Sequence, residues 1–180
     1  MPGVCNPVDA RRAPGDLRKS FPPAKTLPMQ IRVDDLTGPE IAALLEAHLA
    51  TMRQWSPPGT GHALNLARLR VPHITFWTVW DGDDLLGCGA LKQIDKGHGE
   101  IKSMHIAAAH RRRGVGARLL AHMIGQAKSR GYYRLSLETG SMAPFAATRR
   151  FYESVGFARC EAFGEYKPDP NSVFMMMAIE

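Results

Sequence analysis

An α/β (α+β) fold follows from the way two kinds of pattern alternate along the chain. Two β-rich runs, Ile74–Trp80 and Leu85–Leu91, are joined by Asp81-Gly82-Asp83-Asp84, a hairpin signal that calls for adjacent antiparallel strands. After them come a strand, an arginine-rich turn and an amphipathic helix, and then strand, helix and strand again. Such an order makes a mixed, mostly antiparallel twisted sheet flanked by helices. At 180 residues, 44% of them apolar and 22% charged, the chain suffices for one well-buried domain and is too short for two comfortable ones.

Residues 1–28 carry Pro2, Pro7, Pro14, Pro22, Pro23 and Pro28 with few large apolar side chains, so they are read as a disordered tail and residues 29–180 as the folded domain. Gln30-Ile31-Arg32-Val33 has the composition of a first strand. Gly38-Pro39-Glu40 opens a helix in which Ile41, Leu44, Leu45, Leu49 and Met52 share one face, with Pro39 in the first turn where no helical N–H bond is lost. Residues 55–62, with Pro57, Pro58, Gly59 and Gly61, read as a loop, and a short helix is expected from about Ala63 to Leu69. Regular alternation in the run Ile74–Trp80 puts Trp77 and Trp80 on opposite sides, so at most one reaches a cleft. Gly97-His98-Gly99 turns the chain into a central strand, Glu100–Ile106. Val115, Leu119, Leu120, Met123, Ile124 and Ala127 then form a helical stripe, which Gly131 is placed to end in the left-handed conformation. Tyr133–Glu138 reads as a strand, residues 146–157 as a helix, and Val173–Ile179 as a last strand whose methionines fill core.

Charge and cysteine usage narrow the function. The formal net charge is +6, and Arg11, Arg12, Arg18, Lys19 and Lys25 place a good part of it in the tail. The modest excess left in the body suits an anionic cofactor better than a nucleic-acid backbone, and the aromatic-basic interleaving of nucleic-acid binders is missing. No apolar run approaches the ~18–20 residues of a membrane span. Cys5, Cys88 and Cys160 are odd in number and match no zinc or redox spacing, so no metal is expected and a reducing cytoplasm is. No secretory leader pattern is seen at the N-terminus.

The chemistry centres on the start of the helix near Gly114. Its first amide N–H groups lack helical partners and carry the positive end of the dipole, which makes an anion site. Gly114 and Gly116 allow close backbone approach, and Arg111, Arg112 and Arg113 add charge that can fork onto phosphate oxygens, so a diphosphate fits. A dinucleotide fingerprint would need a third glycine and a P-loop a Gly-Lys-Ser/Thr ending, whereas Gly116 is followed by Ala117-Arg118-Leu119. The central strand is also unusual, because Glu100, Lys102, Ser103 and His105 are polar where a mid-sheet strand is ordinarily apolar. Buried polar groups cost about 1–3 kcal/mol unless paired, so a wet, functional cleft is expected there.

Arg111-Arg112-Arg113-Gly114-Val115-Gly116 fits the Arg/Gln-x-x-Gly-x-Gly/Ala pattern of the GNAT family of N-acetyltransferases, and it stands between a central strand and a helix as in that family. Tyr133–Glu138 resembles the family's fifth strand, and Ala146–Phe157, ending Tyr152-Glu153-Ser154-Val155-Gly156-Phe157, resembles its last helix. The resemblance covers roughly residues 29–180. It implies a single GNAT-type domain with splayed central strands and acetyl-CoA (coenzyme A) as cofactor. It further implies backbone contacts to pantetheine from Met104, His105 and Ile106, and a diphosphate site built from Arg111, Arg112, Arg113, Gly114, Val115, Gly116 and Ala117.

By the same resemblance a strand N–H faces the acetyl carbonyl, where charge develops during acyl transfer. Tyr152 matches the tyrosine that protonates the leaving thiolate. An amine with a pKa near ~10 must lose a proton before it attacks. Glu100, on the central strand, is the first candidate for that proton and Glu138, on the neighbouring strand, the second; either could instead bind the amine or form a structural ion pair. Trp55, Ser56 and His62 fall where the family builds one wall of the acceptor pocket. The asparagine that many members carry near the start of the last helix is replaced by Met142-Ala143-Pro144-Phe145-Ala146-Ala147. Direct transfer is expected over a covalent acyl-enzyme, since neither Cys88 nor Cys160 has an evident histidine partner. The implied activity is acetyl transfer to a primary amine of a small molecule or amino acid; a protein or peptide amine and a non-catalytic coenzyme A sensor are the alternatives. A homodimer is implied by resemblance only.

Overall fold

The computed structural model describes residues 29–57 and 65–180. The expected tail over residues 1–28, the start of the short helix and His62 lie outside the described residues. The elements run β1 (Gln30–Val33), α1 (Pro39–Trp55), α2 (Leu66–Leu69), β2 (Ile74–Asp81), β3 (Asp84–Gln93), β4 (His98–Ile106), α3 (Val115–Ser129), β5 (Arg134–Gly140), α4 (Ala146–Val155), β6 (Ala158–Cys160) and β7 (Ser172–Ala178). They make a seven-stranded sheet in the order β1-β2-β3-β4-β5-β7-β6, antiparallel throughout except for β4 and β5. Among the described residues no helix is long and apolar enough to cross a membrane.

Local chemistry sets most boundaries. Pro39 takes the first position of α1, and the Asn65 side chain caps α2 by accepting the Arg68 N–H at 3.0 Å. Gly82, at φ 61°, makes the turn between β2 and β3. Gly131, at φ 75°, ends α3, and the Tyr132 N–H bonds back to the Ala127 carbonyl at 3.0 Å. β6, only three residues long and without a clear alternation, has no counterpart in the sequence-based assignment.

Each face of the sheet has its own core. On one side Val115, Leu119, Leu120, Met123 and Ala127 of α3 pack on Trp77, Val79, Leu91, Ile101, Leu135 and Leu137. The approach is close: a Cβ on Gly89 of β3 would stand 3.1 Å from Met123 and 3.3 Å from Leu119. On the other side Ile41, Leu44 and Leu45 of α1 and Leu69 of α2 cover Phe76, Cys88 and Ala90. Trp77 belongs to the first core, edge-on to His122, whereas Trp80 donates its indole N–H to Thr78 at 2.9 Å, so neither reaches a cleft. Of the terminal methionines Met175 fills core, but Met176 is 36% exposed, a correction to reading the whole run as core.

Two irregularities open the sheet at its centre. The parallel pairing of β4 with β5 runs only from His98 opposite Arg134 to Ile101 opposite Leu137, after which the strands part. On the other edge of β4, Ala90 pairs with Lys102 and Cys88 with His105, so Ser103 and Met104 oppose the single residue Gly89. Ser103 takes up this bulge at φ 49°.

α1 is locked over β4 by two histidines. The rings of His48 and His105 lie 4.8 Å apart, and burial pushes both pKa values down to about 4, with the neighbouring His105 adding to the effect on His48 and Arg111 to that on His105. Both rings are neutral in the fold at neutral pH, while an unfolded histidine takes a proton below about 6.5. Stability from this pair is therefore present above about pH 6.5 and is lost as pH falls towards 4. For His48 the loss between pH 7 and pH 4.5 is expected to be about 2 kcal/mol. Urea denaturation of the wild type and of His48→Phe at both pH values checks this: the variant should show the shallower dependence, and equal slopes would contradict it.

Candidate active site

The parting of β4 and β5 creates a wedge-shaped cleft with a cavity of about 130 Å³. His48, Met52 and Trp55 of α1 close one side, Lys102, Ser103 and Met104 of β4 and Glu138 and Thr139 of β5 form the walls, and Tyr152 of α4 closes the other side. Trp55, a candidate acceptor contact from sequence, does line this cleft with Ser56, edge-on to Phe145 at 5.4 Å.

Backbone polarity follows from the break in pairing. The Ala107 N–H donates to the Leu86 carbonyl at 2.9 Å, across the edge of β4 that faces β3. Alternation along a strand turns the Ile106 and Met104 N–H groups to the opposite edge, beyond the point where the pairing with β5 has ended. The His105 ring goes to His48, and by the same alternation its main-chain N–H turns towards β3, so Met104 and Ile106 carry the open edge.

The same edge leads into the arginine-rich turn. Residues 108–110 form one 3-10 turn, Arg112 adopts φ 57° and Gly114 φ 78°, and α3 begins at Val115. The Arg118 N–H makes the bond to Gly114 O at 3.0 Å, which leaves the N–H groups of Val115, Gly116 and Ala117 without helical partners. Arg111 donates to the Ile106 carbonyl at 3.2 Å, and Arg113 contacts His110 Nδ1 at 2.8 Å and Asp81 at 4.0 Å, so these two side chains brace the turn. A left-handed non-glycine residue is costly, and its presence beside an exposed anion cradle is the kind of strain that accompanies binding. Gly116 lies against Ile106, Met104 and Phe151, whose nearest atoms would be 3.6–3.8 Å from an added Cβ. A ligand with a diphosphate at one end and an extended, amide-bearing chain at the other matches this path: the diphosphate on the first turn of α3, the amides along β4.

Tyr152 and two glutamates supply the proton chemistry. The Tyr152 O–H points to Met104 Sδ at 3.4 Å, a weak acceptor that leaves the hydroxyl available, and burial raises its pKa so that it remains protonated at neutral pH. Glu138 accepts the Ser172 hydroxyl at 2.6 Å and is the one carboxylate lining the cleft among the described residues. Glu100 is 2% exposed and does not line the cleft. It accepts Lys102 Nζ at 2.9 Å and the Tyr166 O–H at 2.6 Å, while Lys102 also reaches the Tyr166 oxygen at 2.6 Å. Burial and the adjacent Glu100 charge raise the Tyr166 pKa, so its proton stays in that bond. Glu100 instead borders a second groove of about 1000 Å³, which meets the cleft at Lys102.

Cys88 is fully buried with its thiol 3.6 Å from the Ser103 carbonyl, and burial pushes its pKa up to about 12, which suits no nucleophile. In place of the absent asparagine, Arg149 fixes the approach to α4 by donating to the carbonyls of Gly140 at 2.6 Å and Met142 at 3.1 Å. Sequence reasoning missed Tyr166, Ser172 and His48. Tyr166 joins Glu100 across 66 residues from an irregular loop, and no local pattern announces it.

The comparisons with known proteins agree with this geometry. Residues 41–157 match the acetyltransferase (GNAT) family. The chain is 56% identical over 147 residues to the uncharacterised N-acetyltransferase YsnE of Bacillus subtilis, covering 82% of this chain and 97% of that one. It is 37% identical over 121 residues to the IAA acetyltransferase of Azospirillum brasilense, covering 66% and 77%. In fold it is similar to a GNAT family acetyltransferase from Elizabethkingia anophelis with acetyl-CoA bound, at a TM-score of 0.62 and 18% identity over 84% of this chain and 98% of the other. With a split central sheet, an anion cradle at the head of α3 and a family match across most of the described domain, the chain belongs to the GNAT family and is an acetyl-CoA-dependent N-acetyltransferase.

Proposed function

We propose that the protein acetylates the primary amine of a small molecule or amino acid by direct attack, with Glu138 and Tyr152 as its proton-handling groups. The observation that carries this reading is their placement: a carboxylate on β5 and a protonated phenol on α4 line one cleft, beside strand N–H groups left without a partner strand. When bound, acetyl-CoA supplies an activated thioester. The N–H groups of Val115, Gly116 and Ala117 would hold its diphosphate, and those of Met104 and Ile106 its amide chain and the acetyl carbonyl oxygen. Of the two glutamates weighed from sequence, Glu138 is the one we assign to accept the amine proton, directly or through a water. Glu100, bound by Lys102 and Tyr166, fixes the wall of the cleft. Tyr152 gives its proton to the departing sulfur. Trp55 bounds the acceptor side.

Direct transfer agrees with the buried, protonated state of Cys88. A small acceptor agrees with the narrow cavity and with the Azospirillum relative, which is named an IAA acetyltransferase. A cytoplasmic place of action agrees with Cys88 and Cys160 remaining free thiols.

Thiol release from acetyl-CoA, followed with a panel of amines, amino acids and short peptides, tests the reading. Tyr152→Phe is expected to lower kcat about 10- to 100-fold with little change in acetyl-CoA KM, and Glu138→Gln to lower kcat/KM about 100-fold. Full activity of Glu138→Gln, with Glu100→Gln inactive but folded, would move the base to β4. A side chain on the first turn of α3 blocks approach to its amides, so Gly116→Val should raise the acetyl-CoA KM about tenfold; an unchanged KM would argue against the diphosphate site.

A further inference from the structure

The cleft and the larger groove share one wall, the side chain of Lys102. Among the described residues the charged groups inside the cleft are Lys102 on β4 and Glu138 on β5, one from each parted strand, and His48 is neutral at pH 7. A carboxylate and an ammonium on opposite walls match a guest that carries both signs of charge. Lys102 has three N–H donors, of which Glu100 and Tyr166 occupy two, so one remains for a guest.

The surface behind Lys102 adds a second cation. Lys92 of β3 pairs in register with Glu100 of β4, which sets their Cβ atoms about 5 Å apart on the same face as Lys102. Glu100 is thus flanked by two lysines, and it is already held by Lys102 at 2.9 Å and by the Tyr166 hydroxyl. Lys92 is half-buried, lines the groove, and has no ion-pair partner among the described residues. Of the other acids along the groove, Asp169 is engaged by the Asn171 backbone and side-chain N–H groups at 2.8 and 3.0 Å, and Glu165 shares the lining with two further cations, Arg68 and Lys167. Two lysines around one buried carboxylate leave an unbalanced positive charge where the cleft opens into the groove.

We propose that the acceptor is an amino carboxylate: its amine sits at Glu138, its carboxylate is taken by Lys102 and Lys92, and the rest of the molecule lies in the groove. Lys92 and Lys102 are then specificity-determining residues, with Glu100 and Tyr166 holding Lys102 in position. This deepens the amine-acceptor reading above and rests on it.

The test sets amino acids against their own carboxamides and decarboxylated amines, with the full chain and saturating acetyl-CoA, by thiol release. Each acid should be acetylated with a kcat/KM at least about tenfold above its amide and amine. Lys92→Gln should cut that acid-to-amide ratio about fivefold through the acceptor KM. Lys92 is chosen because Lys102→Met strips the buried Glu100 of its counter-charge and endangers the fold. Amides or amines served as well as acids, or an unchanged ratio in Lys92→Gln, would overturn the inference while leaving the transferase standing. Turnover of none of the three classes would overturn the small-amine reading and this inference with it.

Discussion

The molecule depends on a hydrogen-bond ladder that stops. Parallel strands inside a sheet ordinarily pair along their whole shared length, because an unpaired buried N–H or C=O costs free energy comparable to a lost hydrogen bond. Here β4 and β5 pair over four residues each and then part, although both continue. The unpaired edge is tolerable only where a ligand or solvent meets its polar groups, so the cleft and the unsatisfied backbone are one feature. The bulge at Ser103 belongs to the same design: it strains one residue to φ 49° and resets the face to which the later residues of β4 point. Before the bulge Glu100 and Lys102 lie on the α1 side; after it Met104 and Ile106 pack with the α3 core.

From that edge the path to the anion cradle is short. β4 runs into the arginine turn, Arg111 ties the turn back to the Ile106 carbonyl, and α3 starts within the same stretch. α3 is held rigidly because its buried face packs on the sheet to van der Waals contact with β3. The charges that line the cleft among the described residues, Lys102 and Glu138, then come from the two strands whose separation made the space.

What could be read in the sequence was what is encoded locally. The arginine turn, Gly114, Gly131, the α3 stripe and the Tyr152 helix each sit within one window of chain, and the structure places them where the patterns do. The polar residues on β4 signalled a cleft because polarity mid-sheet is expensive. Their division of labour could not be read, since it depends on which face each residue takes after the bulge and on Tyr166 and Ser172 arriving from distant segments. Glu100 and Glu138 look alike in sequence; Lys102 and Tyr166 bury the first, and the parting of the strands exposes the second to the cleft. β6 escaped notice because three residues carry too little pattern.

Amide hydrogen exchange, measured with and without acetyl-CoA, reports on these N–H groups themselves. New protection is expected at Met104 and Ile106 and at Val115, Gly116 and Ala117, with little change in the paired segment of β4 from His98 to Ile101. Acetyl-CoA binding without protection at either set, or with protection confined to another part of the sheet, would contradict that expectation.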